Sequence, residues 1–231
     1  MDEMAGPLLG WTIAVALSAT GGEASGLDDA AATRAGARAL DRLDEILLEL
    51  RDTVYQHNTV VRRVDGYYAW DCSGMTNWIL RRVAPRAYAA LGRQRPVART
   101  YWRVIDDAPT ARPRRGWQRI ASIEDVRPGD VFAWRRPPQW PKGGSTGHVG
   151  FVLQAPASVA DIEGGYTVRV ADATSLPHGD DTRDREGDGG FGHGTLLFVT
   201  DRSGNAWAYG WFGLDSRGVI RTDIVFGRLH G

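Results

Sequence analysis

The sequence predicts an α+β fold, with helices in the first half packed on an antiparallel β-sheet built from the second. Leucines recur at steps of three and four early in the chain, the spacing of one helix face. Beyond Gln118 the apolar residues fall instead into short, period-two runs bounded by Gly and Pro. Helices first and strands later is the order of α+β folds. Composition agrees. Of 231 residues, 42% are hydrophobic and 24% charged, a globular balance, and 29 glycines suit turns and loops better than a helix bundle. Basic and acidic residues both number 28, so no global basic excess draws the chain to nucleic acid.

The elements follow in order. Leu8–Leu17 is an apolar run of ten residues, too short to span a bilayer. Small residues follow it, as after a secretory signal, but Met1-Asp-Glu-Met supplies no Lys or Arg. Residues 1–26 read as a signal or an N-terminal extension, and 27–231 as one domain. Periplasmic or secreted placement is the expectation, with the cytoplasm as its alternative. No other segment is apolar for long enough to cross a membrane. Gly21–Gly26 reads as a linker, and Asp28–Val54 as a helix with Leu40, Leu43, Leu47, Leu50 and Val54 on one face. A second helix starts at Asp71–Ser73 and stops before Pro85, because the residue preceding proline is pushed out of the helical region. A third covers Arg86–Leu91. Gly92–Gln118 is Arg- and Pro-rich and reads as an irregular surface excursion, or as a basic rim for an anionic substrate. Predicted strands are Asp130–Trp134, Val149–Gln154, Tyr166–Ala171, Thr195–Thr200, Ala206–Trp211 and Val219–Phe226, with a hairpin turn at Asp201–Asn205. Arg135–Gly147, with three prolines and three glycines, and the acidic stretch Pro177–Gly194 read as loops. The acids of the second loop do not have the spacing of a calcium-binding EF-hand, and a mobile surface loop is the expectation.

The chemistry centres on Cys72, the single cysteine of the chain. One cysteine excludes an internal disulfide framework and a cysteine-rich metal site. Cys72 falls in the first turn of the predicted second helix, where the partial positive charge of a helix N-terminus stabilises thiolates. Asp71 or Ser73 can cap that turn, and Gly74 leaves room for a ligand to approach the backbone. A cysteine nucleophile needs a base. Of five histidines, His148 opens a strand straight after a flexible loop; His178 and His193 lie in the acidic loop, His57 ends the first helix, and His230 is next to the carboxyl terminus. Asp172, at the end of the next strand, is placed to orient the imidazole.

Asp71-Cys-Ser-Gly followed by a helix resembles the nucleophile motif of the NlpC-type cell-wall peptidases, a papain-like family. Val126-Arg-Pro-Gly-Asp-Val-Phe-Ala-Trp, then Gly147-His-Val-Gly-Phe-Val-Leu, is similar to that family's second block, and Asp172-Ala-Thr-Ser falls where its third polar residue stands. The resemblance covers roughly residues 60–175. It implies a papain-like fold with the nucleophile at a helix N-terminus packed on the antiparallel sheet. It also implies a cysteine hydrolase that cleaves amide bonds of peptidoglycan stem peptides. Cys72 would attack the carbonyl, His148 would take and return the proton, and Asp172 would hold the tautomer. The Cys72 backbone N–H, with a Tyr67 or Tyr68 hydroxyl, would stabilise the oxyanion. Asp71 and Ser73 become candidate contacts to the substrate, and Trp70 and Trp134 candidate cleft walls. The implied partner is a peptide or peptidoglycan fragment, with no nucleic acid, no membrane insertion, no cofactor and no metal. An amidase or acyltransferase on another acyl substrate, or an inactive binding module of the same fold, are the alternatives.

Overall fold

The computed structural model describes residues 30–141, 143–184, 186–187 and 189–231. The apolar run, the linker and the start of the predicted first helix lie outside the described residues. The described chain is mixed α+β, dominated by a large antiparallel sheet. Its elements are α1 (Arg34–Glu49), β1 (Asp52–Tyr55), β2 (Val60–Arg62), β3 (Tyr67–Trp70), α2 (Cys72–Val83), α3 (Pro85–Ala90) and α4 (Ala98–Asp106). There follow β4 (Trp117–Ile120), β5 (Val131–Arg135), β6 (Gly147–Val152), β7 (Ala157–Ser158) and β8 (Gly165–Thr174). β9 (Gly190–Thr200), β10 (Ala206–Gly210), β11 (Ile220–Arg221) and β12 (Ile224–Leu229) complete the chain. No helix among the described residues is long and apolar enough to cross a membrane.

α1 starts where Thr33 accepts a hydrogen bond from the Gly36 N–H, and it buries Ala39, Leu43 and Ile46. It ends at Glu49, five residues earlier than the leucine pattern predicts, because Leu50 turns extended (ψ 122°). The β-branched and aromatic residues that follow form β1 instead, a parallel partner of β3 from Asp52 opposite Tyr67 to Tyr55 opposite Trp70. β3 also pairs antiparallel with β2, giving a small three-stranded sheet. That sheet docks on the start of β9, where the Phe191 N–H donates to Thr53 Oγ1 at 2.8 Å.

The large sheet has the order β11-β10-β9-β8-β6-β5-β12-β4, with β7 added beside β8, and every pairing in it is antiparallel. Alternate residues serve its two sides. Val131, Ala133, Val149, Phe151 and Ala171 pack with the helices, whereas Phe132, Trp134, Val152, Val170 and Phe198 form a second apolar layer with Tyr209 and Phe226. The Asp201 carboxylate accepts from the Ser203 and Asn205 N–H groups in the turn from β9 to β10, as its turn residues predict. The predicted strand Val219–Phe226 is two: β11 pairs with β10, and β12 inserts between β5 and β4. Within the stretch read as irregular, α4 is an amphipathic helix. It buries Tyr101 and Ile105 on the sheet and turns Arg99 and Arg103 outward, so the arginines mark its solvent face. Asp130 of the Pro-Gly-Asp turn is buried and pairs with Arg228 at 2.8 Å, tying the entry of β5 to β12.

Candidate active site

Cys72 is the first residue of α2, and the Asp71 carboxylate caps that helix by accepting from Gly74 N at 2.6 Å. The same carboxylate accepts from Ser73 Oγ at 2.8 Å and meets His57 Nδ1 at 3.0 Å. α2 packs on β6 and β8, the strands that carry His148 and Asp172. The Cys72 sulfur is near enough to His148 to favour its imidazolium form. Its Nε2 lies 2.6 Å from Asp172 Oδ2, which leaves Nδ1 as the ring nitrogen for the sulfur. The three residues of the sequence reading are therefore brought together in the expected order.

Burial opposes charge on the imidazole, but the Asp172 carboxylate and then the Cys72 sulfur outweigh it and push His148 up to about 9. Burial likewise works against the Asp172 carboxylate. His178, Arg183 and His148 more than offset it and hold the group well below the usual carboxylate range.

Asp172 is fully buried and serves more groups than a triad requires. His178 Nε2 also lies 2.6 Å from Oδ2, and Arg183 donates to Oδ1 at 2.8 Å. Arg183 in turn forms a two-point pair with Asp181, at 2.8 and 2.6 Å, and Asp181 accepts from the His178 N–H at 2.7 Å. His178 Nδ1 faces the Trp211 carbonyl at 3.2 Å, so both ring nitrogens face acceptors. The Trp211 ring lies 4.2 Å from the His178 ring and 5.3 Å from that of His148.

This arrangement corrects the reading of Pro177–Gly194 as a mobile surface loop. His178, Asp181 and Arg183 are buried beneath the site, and the segment from Gly190 onward is the first part of β9. Of the charges that suggest a solvated loop, Asp181 is spent on Arg183, and Arg183 also on Asp172.

Cys72 lines a cleft of about 970 Å³. Asp71, Cys72 and Ser73 line it, as expected. Tyr67 and Tyr68 do not. Tyr68 is fully buried and donates its hydroxyl to Glu49 at 2.7 Å, and the Tyr67 ring lies under the Arg62 guanidinium. The tyrosine in the cleft is Tyr55, carried there by β1, a strand hidden inside the predicted helix. Trp70 and Trp134 are buried core residues, and the indole on the cleft wall is Trp78. The expected open approach at Gly74 is filled as well: a Cβ there would stand 2.5 Å from Thr59 Oγ1.

No family model matches the chain, and no solved structure matches it. Over 180 residues it is 31% identical to "Uncharacterized protein R653" of Acanthamoeba polyphaga mimivirus, an alignment that spans 69% of this chain and 77% of the viral one. The chain belongs to the family of that viral protein.

Of the remaining histidines, His57 also lines the Cys72 cleft. His57 follows β1 rather than ending a helix, and its side chain is largely exposed. His193, on β9, is held below its usual value by burial, and His230 meets Gln118 Oε1 at 3.0 Å. His148, Asp172 and His178 form a cluster compact enough to hold a metal ion. Their geometry is instead that of hydrogen bonds. Both Nε2 atoms aim at one carboxylate oxygen, and the other oxygen already takes the Arg183 cation. His178 and Arg183 escaped the sequence reading because their acidic, glycine-rich surroundings mask them. The available signal was a histidine six residues after Asp172 in the chain.

Proposed function

We propose that the chain is a papain-like cysteine hydrolase of the NlpC type, cleaving amide bonds in peptidoglycan stem peptides. The observation that carries this reading is the grouping of Cys72, His148 and Asp172, with Cys72 at a helix N-terminus and in the lining of a cleft. An imidazole linked to the sulfur on one side and to a carboxylate on the other is built to take the thiol proton. The thiolate then attacks the amide carbonyl, and the imidazolium protonates the leaving amine. Water, deprotonated by His148, releases the acyl group. Burial and the neighbouring Cys72, Asp71 and Asp172 charges raise the Tyr55 hydroxyl above its usual range. It therefore stays protonated as a donor, and in this reading it replaces Tyr67 and Tyr68 beside the backbone N–H in stabilising the oxyanion.

The test is release of new amines from muropeptides by the parent chain and by Cys72→Ala and His148→Ala. Both substitutions are expected to lower turnover by roughly 10³-fold or more, and His148→Ala also to slow alkylation of Cys72 by iodoacetamide at neutral pH. Full activity in Cys72→Ala would exclude the nucleophile. An inert but folded parent chain across muropeptides and simple amides would favour a binding module.

A further inference from the structure

The walls of the Cys72 cleft are unevenly charged. Arg81, Arg82 and Arg95 line it, against one carboxylate, Asp71, whose oxygens are already engaged. An adjoining depression of about 610 Å³ shares Arg81 and Arg95 and adds Arg93, with no acid in its lining. Some arginines elsewhere are matched to acids, as in Arg63 with Glu49, Arg119 with Asp106 and Arg228 with Asp130. The cleft arginines pair with no carboxylate among the described residues. Neutral groups hold them instead. Arg81 donates to the Tyr88 hydroxyl and the Gln94 carbonyl, Arg82 to the Trp78 carbonyl while stacking on that indole at 3.7 Å, and Arg95 to the His57 carbonyl. Burial and the nearby Arg42, Arg63 and Arg81 cations all push Arg82 down, a mark of uncompensated positive charge.

The spacing on α2 links this charge to the nucleophile. Ser73, Asn77 and Arg81 recur every four residues, as do Gly74, Trp78 and Arg82, and all six line the cleft. A chain lying along these stripes starts at Cys72 and meets the guanidinium groups about 13 Å further along the helix axis. That is roughly the span of four extended residues.

We propose that the cleft binds an extended amide substrate carrying an anionic group, a carboxylate or a phosphate, on Arg81, Arg82 and Arg95. The proposal rests on the cysteine-hydrolase reading and names the substrate class for it. Planar guanidinium groups held by neutral acceptors keep donors free for such an anion.

The test reads occupancy rather than turnover: protection of Cys72 from iodoacetamide by tetrapeptides that end in glutamate, phosphoserine or glutamine amide. The acidic peptides are expected to protect at concentrations at least tenfold lower than the neutral one, with the two acids telling carboxylate from phosphate. Added salt should reduce the preference, and Arg81→Gln/Arg82→Gln/Arg95→Gln should abolish it. Single Arg81→Gln and Arg95→Gln variants serve if the triple variant does not fold. Equal protection by acidic and neutral peptides, no protection by any of them, or a preference that survives the substitutions would each overturn the proposal. An inert chain that still prefers acidic peptides would sink the hydrolase reading and keep the anion site; an active chain without the preference would do the reverse.

Discussion

Asp172 holds three cationic or hydrogen-donating groups on two oxygens, and its substitution therefore separates catalysis from stability. Asp172→Asn keeps the shape and one acceptor oxygen but removes the charge that favours an imidazolium. Its kcat is expected to fall by roughly 10²-fold, with a folded chain at neutral pH. Asp172→Ala removes the anion altogether and leaves Arg183 facing one fewer carboxylate inside the protein. Stranding a buried charge costs about 3–5 kcal/mol, which for a chain of this size lowers Tm by roughly 10 °C. Thermal melts of both variants against the parent decide the point: parent-like Tm values in both would show that the Asp172 charge does not stabilise the fold. The sequence shows Cys72, His148 and Asp172 because each sits in a short local pattern, a helix start or a strand end. It does not show Arg183 or Tyr55, whose roles depend on contacts with residues far along the chain.

At the scale of elements, two local devices hold the nucleophile and its base in register. Asp71 caps α2 one residue before Cys72, and Asp71→Ala is expected to cost about 0.5–2 kcal/mol of stability while releasing Ser73 and His57. Gly147 places His148. It has φ +123°, and a Cβ there would lie 1.9 Å from the Trp134 carbonyl oxygen across the β5–β6 pair. Gly147→Ala must push the start of β6 away from β5. The expected result is a lowered Tm and slower alkylation of Cys72, because His148 moves with the strand; parent-like reactivity would show that β6 absorbs the change elsewhere. Strongly patterned elements are legible in the sequence: α2, α3, the strands β5, β6, β8 and β10 to within a few residues, and the second half of β9. β1 is not, because its residues continue the helical leucine spacing and only pairing with β3 makes them a strand. α4 is hidden by its arginines, which mark an exposed helix face and imitate a loop.

For the whole molecule, the buried charges set how stability depends on pH. The folded chain binds the His148 proton more tightly than the unfolded chain does, since this group rises from 6.5 to about 9. Its contribution is fully present below pH 6.5 and is lost as pH rises through about 9. Asp172 has the opposite sign: its lowered value contributes stability above the unfolded carboxylate range of about 3.9, which is lost as pH falls through the folded value. His193 and His230 are held below their usual value, so below pH 6.5 the unfolded chain takes their protons more readily and stability falls. Together these place the maximum near pH 6–7, between the losses on the two sides. The alkaline loss belongs to His148 and is on the order of 3 kcal/mol, about 10 °C in Tm. It is expected as a steady fall in Tm between pH 6.5 and 9 in the parent chain and as a flatter profile in His148→Gln. The difference isolates the imidazolium from every other titrating group. Parallel profiles in the two chains would mean that the imidazole is not held charged between sulfur and carboxylate in the folded state, and the proton relay would lose its electrostatic basis.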